Sequence, residues 1–561
     1  MKKTIIIGGA AGEGINTAAK FIERIVKDQG LHFLSYKNYM SRVRGGYNYT
    51  TITIGDEPVL SIEKNAHLFL ALNKEAGEHA IKRITDNGTV YAIVPFDDKE
   101  AKGDYDVHIA DQEKLKAIKN KNAGNMACVG AAIAYLGLEK QLIKTLRQSK
   151  WSDKVNEEND QAALLGYACF EHHQAPSWTF SKEQEKMMMI GGNQAVALGA
   201  LAAGVGFYSA YPMAPSTGVM TYLSQHQNEM KMLVEQAEDE IAAIMSAIGA
   251  ASNGVRAMTS TSGGGFSLMV EAVGFAAVSE VPLVVCNVQR PGPATGLPTR
   301  TEQADLMFMA TASQGEFARI LLAPTSIEDA FYTTFRAFNL AEKYQVPVMI
   351  LTDQYLADAT TMTPIFDTAS LEVNRYLKTE PDSDYKRYAF HDYIGTRKYP
   401  GIDDETIVMT DSHVHDEYGG VSEDEEVTMA LKHKLLNKEN DILSDLKKPV
   451  LEGGDHYDYL LISWGSTVDI VKDAIRLARE RGIKASALGF SDVYPIAEDI
   501  LDPYLNKGTK IINVEGNATN QFGKLLRMAT GVKWTDSINK YDGRPFTSQE
   551  IVEQLEVLIN G

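Results

Sequence analysis

Residues 255–276 of the chain read VRAMTSTSGGGFSLMVEAVGFA. A short run that ends in hydroxyl residues is followed by three glycines, Gly263–Gly265, and then by a stretch with helical features. This order predicts a strand, a glycine turn and a helix, which together form one step of an α/β sheet. Glycines at such a turn allow another group to approach the backbone closely. That group can be a ligand or a neighbouring subunit, and the sequence leaves both open.

Runs of the same kind lie on both sides of this stretch. AGVGFYSAYP, VPLVVCNVQRPGP, FARILLAP and VPVMILTD are short, apolar and end in Gly, Pro, Ser, Thr or Asp. In open α/β sheets ligands bind outside the carboxyl ends of the strands, so we expect the chemistry at these endings. Three strand–helix units in series predict a multidomain α/β protein with largely parallel sheets.

Composition changes along the chain suggest where the domains begin and end. We predict an α/β domain, a polar linker, the central α/β domain, a less periodic acidic excursion and a third α/β domain. In that order they span residues 1–172, 173–187, 188–365, 366–455 and 456–561.

The overall composition excludes several classes of protein. The chain has 561 residues, 44% of them hydrophobic, and a formal net charge of −19, which argues against a nucleic-acid groove. Its three cysteines are far apart and form no CxxC pattern, so neither a disulfide framework nor a cluster-binding set is expected. The apolar start MKKTIIIGG is too short for a signal peptide and predicts a first strand. We therefore expect a soluble, cytoplasmic chain without a membrane segment.

Two motifs near the amino terminus could bind an anion. The turn GGAAGEG, Gly8 to Gly14, lies between a predicted strand and helix, but its spacing is not the dinucleotide fingerprint. It is either a plain tight turn or a phosphate site. Arg42 and Arg44 stand beside two glycines and suit either a phosphate or carboxylate, or surface ion pairs.

A cluster of carboxylates stands at the start of the small-residue helix in LVEQAEDEIAAIMSAIGAASNG, residues 233–254. Glu235, Glu238 and Glu240 could simply be charges stabilised by the helix dipole. Alternatively, one of the three is desolvated against the small-residue face and is thereby tuned for proton chemistry.

These motifs together resemble a known family. The pattern from Glu238 to Met245 is similar to the helix of thiamin-diphosphate enzymes that carries their activating glutamate. With YPMAPST, TSTSGGGFSLM, QRPGPATGLPTRTEQADL and VPVMILTDQYLAD, the chain resembles the α subunit of 2-oxoacid:ferredoxin oxidoreductases. Residues 1–172 resemble the γ subunit of these enzymes, here fused at the amino terminus. The tail, with VEGNATNQFGKLLRMATG and YDGRPFT, resembles their transketolase-C-terminal-like domain. The central domain would then be the pyrimidine-type thiamin-diphosphate-binding domain.

The resemblance implies a cofactor site and a reaction. Glu238 would be catalytic, because its carboxylate would bond the ring nitrogen of the aminopyrimidine and favour the tautomer that deprotonates the thiazolium carbon. Ser262, Gly263 and Gly264 would also bind thiamin diphosphate. A 2-oxoacid would lose carbon dioxide, its electrons would pass to iron–sulfur clusters, and coenzyme A would take the acyl group.

The loop after the first strand of the central domain resembles the family's substrate loop, commonly Tyr-Pro-Ile-Thr-Pro-Ser. Here it reads YPMAPST, and Ala214 occupies the threonine position. One hydroxyl is lost, so Ser216, Thr217, backbone amides or an arginine must anchor the substrate. The predicted substrate-binding residues are Tyr211, Pro212, Ala214, Ser216, Thr217, Arg290 and Arg300.

Two arginines could bind the substrate carboxylate in two-point fashion. The family places an arginine at a similar distance beyond the substrate loop, which favours Arg300 over Arg290. An ion pair of Arg300 with Glu302 or Asp305 is the competing interpretation.

The chain contains only part of the implied active site. It has no Gly-Asp-Gly followed by Asn-Asn, the signature that holds magnesium and diphosphate, and no metal-ligand set of its own is expected. A β subunit would supply that site, Mg²⁺ and at least one [4Fe–4S] cluster, in a hetero-oligomer such as a dimer of heterodimers that reduces ferredoxin. We expect 2-oxoglutarate as the substrate. The alternatives are pyruvate, a branched-chain 2-oxoacid, or a non-catalytic scaffold subunit.

The run SHVHDEYGG, residues 412–420, invites a metal hypothesis, but it lacks the His-x-x-x-His spacing of a helical zinc site. The family has a similar His-Asp-Glu run, which implies a position between domains or at the edge of the active site. A solvated loop is the alternative.

Overall fold

The computed structural model describes residues 1–41, 45–97, 103–183, 186–391, 394 and 397–561. Arg42 and Arg44 lie outside these ranges. The chain divides into two compact units. The first comprises Met1–Ile190, Ala359–Ile365 and Thr547–Gln549, and the second comprises Gly191–Asp358, Phe366–Phe546 and Glu550–Gly561. Residues 359–365 thus belong with the first unit, whereas the sequence placed them in the central domain.

The first unit is built on an eight-stranded sheet with the order β6-β5-β4-β1-β3-β2-β14-β7, where elements are numbered along the chain. Its strands are β1 (Lys2–Ala11), β2 (His32–Asn38), β3 (Gly45–Gly55), β4 (Ala66–Ala71), β5 (Ile84–Ala92), β6 (Tyr105–Ile109), β7 (Met187–Gly191) and β14 (Ala359–Pro364). Its helices are α1 (Ile15–Asp28), α2 (Lys74–Ala80), α3 (Gln112–Ala117), α4 (Ala123–Tyr135) and α5 (Asp153–Ala168).

This sheet is mixed, not largely parallel as predicted. Strands β1, β4, β5 and β6 pair in parallel, whereas β3 is antiparallel to both β1 and β2. Only six residues separate β2 from β3, and a parallel pair needs a crossover of a dozen or more residues. The short connection therefore imposes the antiparallel pairing.

Two helices of the first unit bury their apolar residues. Ala18, Ala19, Phe21, Ile22 and Ile25 of α1 recur at helical spacing and are all buried. Nearly all of α4 is buried. A Cβ added at Gly130 of α4 would collide with the backbone of Ala163 in α5, so the two helices touch backbone to backbone. Small residues make this close packing possible.

The side chain of Glu13 occupies the turn between β1 and α1. The Glu13 carboxylate accepts hydrogen bonds from the Ala10 amide and from Asn73 Nδ2, both at 2.7 Å. Gly14 has a φ of 83°, a conformation that favours glycine. Glu13 thus satisfies the Ala10 amide from within the turn, and the choice between a plain tight turn and a phosphate site stays open.

The second unit contains a seven-stranded sheet, β18-β12-β13-β11-β10-β8-β9, and a five-stranded sheet, β15-β17-β16-β19-β20. The strands of the first are β8 (Phe207–Ala210), β9 (Leu233–Gln236), β10 (Ala257–Thr261), β11 (Leu283–Gln289), β12 (Ile320–Leu322), β13 (Pro347–Asp353) and β18 (Asp492–Tyr494). Those of the second are β15 (Val450–Glu452), β16 (Tyr459–Trp464), β17 (Ala485–Phe490), β19 (Lys510–Glu515) and β20 (Asp536–Asn539).

Helices connect these strands. They are α6 (Gly192–Ala202), α7 (Thr217–His226), α8 (Glu240–Ser252), α9 (Gly263–Val278), α10 (Leu306–Ala310), α11 (Ile327–Tyr344), α12 (Gln354–Asp358), α13 (Glu425–Asp445), α14 (Thr467–Glu480), α15 (Gln521–Thr530) and α16 (Ser548–Asn560). Within the described ranges, no helix combines the length and apolarity needed to cross a membrane.

Across the seven-stranded sheet, neighbouring strands pair in parallel from β9 at one edge through β8, β10, β11 and β13 to β12, as predicted. The carboxyl ends of these strands therefore meet at one edge of the sheet. Every residue of β10, β11 and β13 is buried, which suits strands covered by helices on both faces of the sheet.

One glutamine joins the two sheets of the second unit. Gln303 Nε2 donates to the Trp464 carbonyl at 3.0 Å, and Gln303 Oε1 accepts from Thr467 at 2.7 Å and from the Gly516 amide at 3.0 Å. The side chain is only 2% exposed, so a lost partner would leave a buried polar group unsatisfied. This contact fixes the segment before α10 against the carboxy-terminal sheet.

A buried ion cluster ties helix α13, which lies in the predicted excursion, to the end of α9. Glu280 accepts from Lys434 Nζ at 2.7 Å and from Lys438 Nζ at 2.6 Å, and all three side chains are at most 3% exposed. Burial by itself raises the pKa of Glu280, but Lys434, Lys438 and Arg387 outweigh it and hold that pKa below its ordinary value. The carboxylate is therefore charged in the folded protein.

We expect Glu280→Gln to lower the free energy of unfolding by about 3–5 kcal/mol, because it leaves two lysine charges buried without their anion. Denaturant unfolding at pH 7 measures this loss. Since the folded pKa lies below the unfolded value of about 4.3, the stabilisation is complete above that pH and disappears as the pH falls through the folded pKa. The difference in the free energy of unfolding between the native protein and Glu280→Gln should therefore decrease in acid.

Glu183→Gln is the matched control, because Glu183 pairs with Lys186 at the surface. Replacing the Glu183 carboxylate should change the free energy of unfolding little. An equal loss in both variants would show that the Glu280 cluster contributes no more than a surface pair.

Candidate functional site

The candidate site lies at the carboxyl edge of the seven-stranded sheet. The predicted substrate loop follows β8, Glu238 and Glu240 follow β9, the glycine turn follows β10 and Arg290 follows β11. The parallel order of these strands brings four separate sequence motifs to one edge. That these strand endings carry the chemistry stays a prediction.

The substrate loop holds itself together by its own polar groups. Ser216 is 1% exposed, and its hydroxyl donates to the Met213 carbonyl at 2.7 Å. Asn193 Nδ2 donates to the Pro215 carbonyl at 3.0 Å. Ser216 therefore helps to shape the loop, and its role as a substrate anchor stays a prediction.

The remaining loop residues stand nearer to solvent. Tyr211 is 40% exposed, Ala214 is exposed, and Pro212 and Thr217 are half-buried. Thr217 is the first residue of α7. The surface of the loop is therefore formed chiefly by Tyr211 and Ala214.

Arg290 reaches this loop directly. Its Nη1 donates to the Ala214 carbonyl at 2.6 Å, and its buried Nε has no hydrogen-bond partner among the described residues. Burial lowers the pKa of Arg290, and Asp305 acts in the opposite direction. Arg290 is the arginine that the structure brings to the predicted substrate loop.

Arg300 lies against a different part of the second unit. Its Nη1 donates to the Thr299 carbonyl at 3.2 Å, and its Cβ stands 3.1 Å from the position that a Cβ on Gly543 would take. The next residue, Thr301, donates its amide to the Gly543 carbonyl at 3.4 Å. The preference for Arg300 over Arg290 therefore stays a prediction.

The carboxylate that meets the physical requirement is Glu240, not Glu238. Glu238 precedes α8 and is exposed, so it lacks the desolvation on which its predicted role depended. Glu240 is the first residue of α8 and is 4% exposed, and its Oε1 has no hydrogen-bond partner among the described residues. The N-cap of α8 is Asp239, which accepts from the Ala242 amide at 2.8 Å. The capping role and the buried carboxylate thus belong to different residues.

The spacing of residues in the sequence distinguishes Glu240 from Glu238. Glu240 continues the buried stripe of α8, which includes Ala243, Ala247 and Ala251. These positions recur at helical spacing, so they share one face. Glu238 falls before the helix and outside that stripe.

The glycine turn after β10 faces Glu240. A Cβ on Gly265 would lie 2.5 Å from Glu240 Oε1 and would also collide with the Thr261 hydroxyl. Thr261 in turn contacts Met213 Sδ of the substrate loop at 3.8 Å. The close approach expected at this turn is therefore made by Glu240, and it needs the third glycine.

The other residues of the turn differ in their surroundings. Ser262 is fully buried, and its Oγ has no partner among the described residues. A Cβ on Gly263 would lie 2.5 Å from the Asp305 carboxylate, whereas one on Gly264 would have ordinary contacts, 3.7 Å from the Ala294 carbonyl. Asp305, Gly265 and Glu240 are the residues of this site whose contacts the sequence did not predict.

The histidine run lies apart from these contacts. His415 is fully buried against Tyr388, with ring centroids 4.1 Å apart, and its Nδ1 lies 2.9 Å from the His413 carbonyl. Glu417 accepts from Lys386 at 2.6 Å. Over the part of the chain that the structure describes, no group of three or more His, Cys, Asp or Glu side chains could hold a metal ion.

Comparison with family models places two matches on the chain. Residues 198–433 match pyruvate flavodoxin/ferredoxin oxidoreductase, thiamine diP-bdg, and residues 4–169 match pyruvate ferredoxin/flavodoxin oxidoreductase. The first match contains the whole candidate site.

Relatives cover the full length. The 2-oxoacid:ferredoxin oxidoreductase subunit alpha of Saccharolobus solfataricus is 30% identical, over 100% of this chain and 98% of the relative. The 2-oxoglutarate synthase subunit KorA of Methanothermobacter thermautotrophicus is 34% identical over 65% of this chain and 97% of its own.

A solved structure has the same fold throughout. The 2-oxoglutarate:ferredoxin oxidoreductase of Magnetococcus marinus, with 2-oxoglutarate, coenzyme A and succinyl-CoA bound, superimposes with a TM-score of 0.93 at 29% identity. The match covers 100% of this chain and 99% of that chain. These similarities confirm the resemblance found in the motifs and the multidomain α/β fold. The chain belongs to the 2-oxoacid:ferredoxin oxidoreductase family and is an α-type subunit of these oxidoreductases.

Proposed function

We propose that the chain acts on 2-oxoglutarate, which it oxidatively decarboxylates to an acyl-CoA together with a β-type partner subunit. The observation that carries the proposal is the Glu240 carboxylate, which is buried at the carboxyl edge of the sheet with Oε1 lacking a partner among the described residues. A buried polar atom without a partner costs stability, so it is typical of a site that another molecule completes.

The residues around Glu240 fit the aminopyrimidine of thiamin diphosphate. Glu240 Oε1 and Ser262 Oγ are both buried without partners among the described residues, and both adjoin the turn at Gly265. These atoms could accept and donate hydrogen bonds to a flat, nitrogen-rich ring. When bound, thiamin diphosphate supplies the carbanion chemistry of decarboxylation.

In this proposal the Glu240 carboxyl group holds a proton at a ring nitrogen of the cofactor. A hydrogen bond of this kind is stronger in a site that excludes water than at the surface. Gly265 permits the approach, and Thr261 and Met213 connect the turn to the substrate loop. Gly263 and Gly264 would contribute backbone to the same wall.

Arg290 is the proposed partner of a substrate carboxylate. A guanidinium can bind a carboxylate through two parallel hydrogen bonds, and Arg290 already stands at the substrate loop. Ala214 has no hydroxyl to help, which increases the dependence on the arginine. Tyr211 and the backbone of the loop would form the rest of the pocket, and Arg300 is a second candidate for one of the two carboxylates of 2-oxoglutarate.

The choice of 2-oxoglutarate is supported by the names of similar proteins. The full-length structural match is a 2-oxoglutarate:ferredoxin oxidoreductase, and a relative is a 2-oxoglutarate synthase subunit. Pyruvate or a branched-chain 2-oxoacid is the alternative, because Ala214 departs from the family's loop.

The partner subunit would complete the active site. We propose that it carries Mg²⁺, the diphosphate site and a [4Fe–4S] cluster, passes electrons to ferredoxin and assembles with this chain as a dimer of heterodimers in the cytoplasm. The absence of the Gly-Asp-Gly signature from the sequence supports this division.

Glu240→Gln should lower the kcat of the complex by about 10²–10³-fold, because an amide cannot hold the proton as a carboxyl group does. CoA-dependent reduction of a viologen dye measures the effect. Glu238→Gln is the matched control, since Glu238 is exposed two residues away. A comparable loss in the control, or full activity of Glu240→Gln, would overturn the assignment.

The complex should prefer 2-oxoglutarate over pyruvate and 2-oxoisovalerate by about tenfold or more in kcat/KM, because only 2-oxoglutarate offers a second carboxylate. The same dye assay with each acid at several concentrations checks the order. An equal or higher kcat/KM for a monocarboxylic acid would replace the proposed substrate.

The purified chain alone should show no CoA-dependent dye reduction, even with added Mg²⁺ and thiamin diphosphate, and activity should appear when the β-type subunit is co-expressed. Metal analysis of the complex should then find iron that is absent from the chain alone. Turnover by the chain without a partner would disprove the shared active site.

A further inference from the structure

Helices α8 and α9 each bury one face in the core of the second unit and expose the opposite face. Ile244 and Ile248 of α8 belong to the same hydrophobic core as Phe266 and Met269 of α9. The two helices also contact each other. Their outer faces therefore lie side by side and point away from the shared core. We call these two outer faces together the α8–α9 face.

The α8–α9 face is apolar and almost without charge. Ile241 is 51% exposed, Met245 is 40% exposed and Leu268 is 52% exposed. The only charged residue of α8 is Glu240, which is buried, and the only charged residue of α9 is Glu271, which is exposed. Charged residues make up 23% of the whole chain, so this depletion is local. Exposed apolar surface without charges is typical of the centre of a protein–protein interface.

Gly249 lies on the same face and is not explained by contacts within the chain. It continues the row Ile241 and Met245 at a spacing of four residues, and it is exposed. Glycine is unfavourable within a helix, yet a Cβ at Gly249 would have none of the described residues within 4 Å. A glycine on a helix surface allows another molecule to approach the backbone closely. Gly249 therefore points to a neighbour from outside the chain.

The α8–α9 face is continuous with the candidate site. Glu240, whose Oε1 is buried without a partner in the described part of the chain, directly precedes Ile241. On α9 the face begins at Gly264, which is exposed and belongs to the glycine turn. A protein that covers this face therefore also reaches the edge of the site.

We propose that the α8–α9 face is the surface on which the β-type subunit docks, through an apolar and uncharged surface of its own. The inference rests on the proposed function, which assigns the missing part of the active site to that subunit. A second copy of this chain would bring the same sequence, which lacks the diphosphate signature, and so would leave the site incomplete. The β-type subunit is the partner that both covers the face and completes the site.

The test measures assembly of the two subunits. Mass photometry of the co-expressed complex over a dilution series gives the Kd between them. Ile241→Lys and Leu268→Lys should each raise this Kd about a hundredfold, because docking would bury a lysine charge against apolar side chains. The Tm of each variant chain alone should equal that of the native chain, since both positions are exposed.

Met528→Lys is the matched control for these two variants. Met528 is 72% exposed and lies on α15, outside the α8–α9 face. Its replacement should leave the Kd between the subunits unchanged. A native Kd in Ile241→Lys and Leu268→Lys, or an equal loss of affinity in Met528→Lys, would overturn the proposal.

Gly249→Ala gives a readout of opposite sign in the chain and in the complex. In the chain alone the substitution should raise the Tm, because alanine favours the helix and its methyl group meets no neighbour. In the complex the same methyl group should raise the Kd between the subunits about tenfold, because it overfills a close contact. A Kd that stays unchanged in Gly249→Ala would contradict the proposal.

The docking face and the proposed function fail in different ways. If the native chain forms no complex with the β-type subunit, or the complex lacks CoA-dependent dye reduction, the proposed function is wrong. If the native complex is active and the lysine variants on α8 and α9 assemble normally, only the docking face is wrong. Self-association of the chain alone that these variants abolish would also overturn the proposal, because the face would then belong to a second copy.

Discussion

The arrangement of the site depends on the close approach of the Glu240 carboxylate to the turn that begins α9. A side chain at Gly265 would occupy the space of Glu240 Oε1, so a glycine is required there. The approach buries a carboxylate with one oxygen unsatisfied by the described residues, which costs free energy. Parallel pairing of β8, β10 and β11 provides the rigid frame that maintains this unfavourable contact.

The sequence predicts those parts of the fold that leave a local pattern, namely the turn residues at strand ends and the apolar stripes of helices. The α/β class, the helix α1 and the edge that bears the site follow from periodicity and turn residues. The antiparallel pairing of β1 with β3 does not, because it depends on which distant strands meet. The inclusion of residues 359–365 in the first unit was missed for the same reason.

The site was predicted as a set of motifs, but the roles within the set were less accessible. Burial distinguishes Glu240 from Glu238, and it depends on α8 beginning at Glu240, a boundary that the sequence does not fix. The contact between Arg290 and Ala214 joins residues 76 positions apart and has no local signature. Gln303 likewise acts through partners in the carboxy-terminal sheet, which sequence spacing does not reveal.

The side chain at position 214 has little part in holding the loop in its conformation. Arg290 binds the backbone carbonyl of Ala214, and any residue at this position would offer the same acceptor. The loop is also held through the carbonyls of Met213 and Pro215, again by backbone atoms. Because its conformation is fixed independently of the side chain at 214, that side chain is free to set the size and polarity of the pocket. The departure from the family's threonine thus concerns the proposed substrate pocket, not the way in which the loop is held.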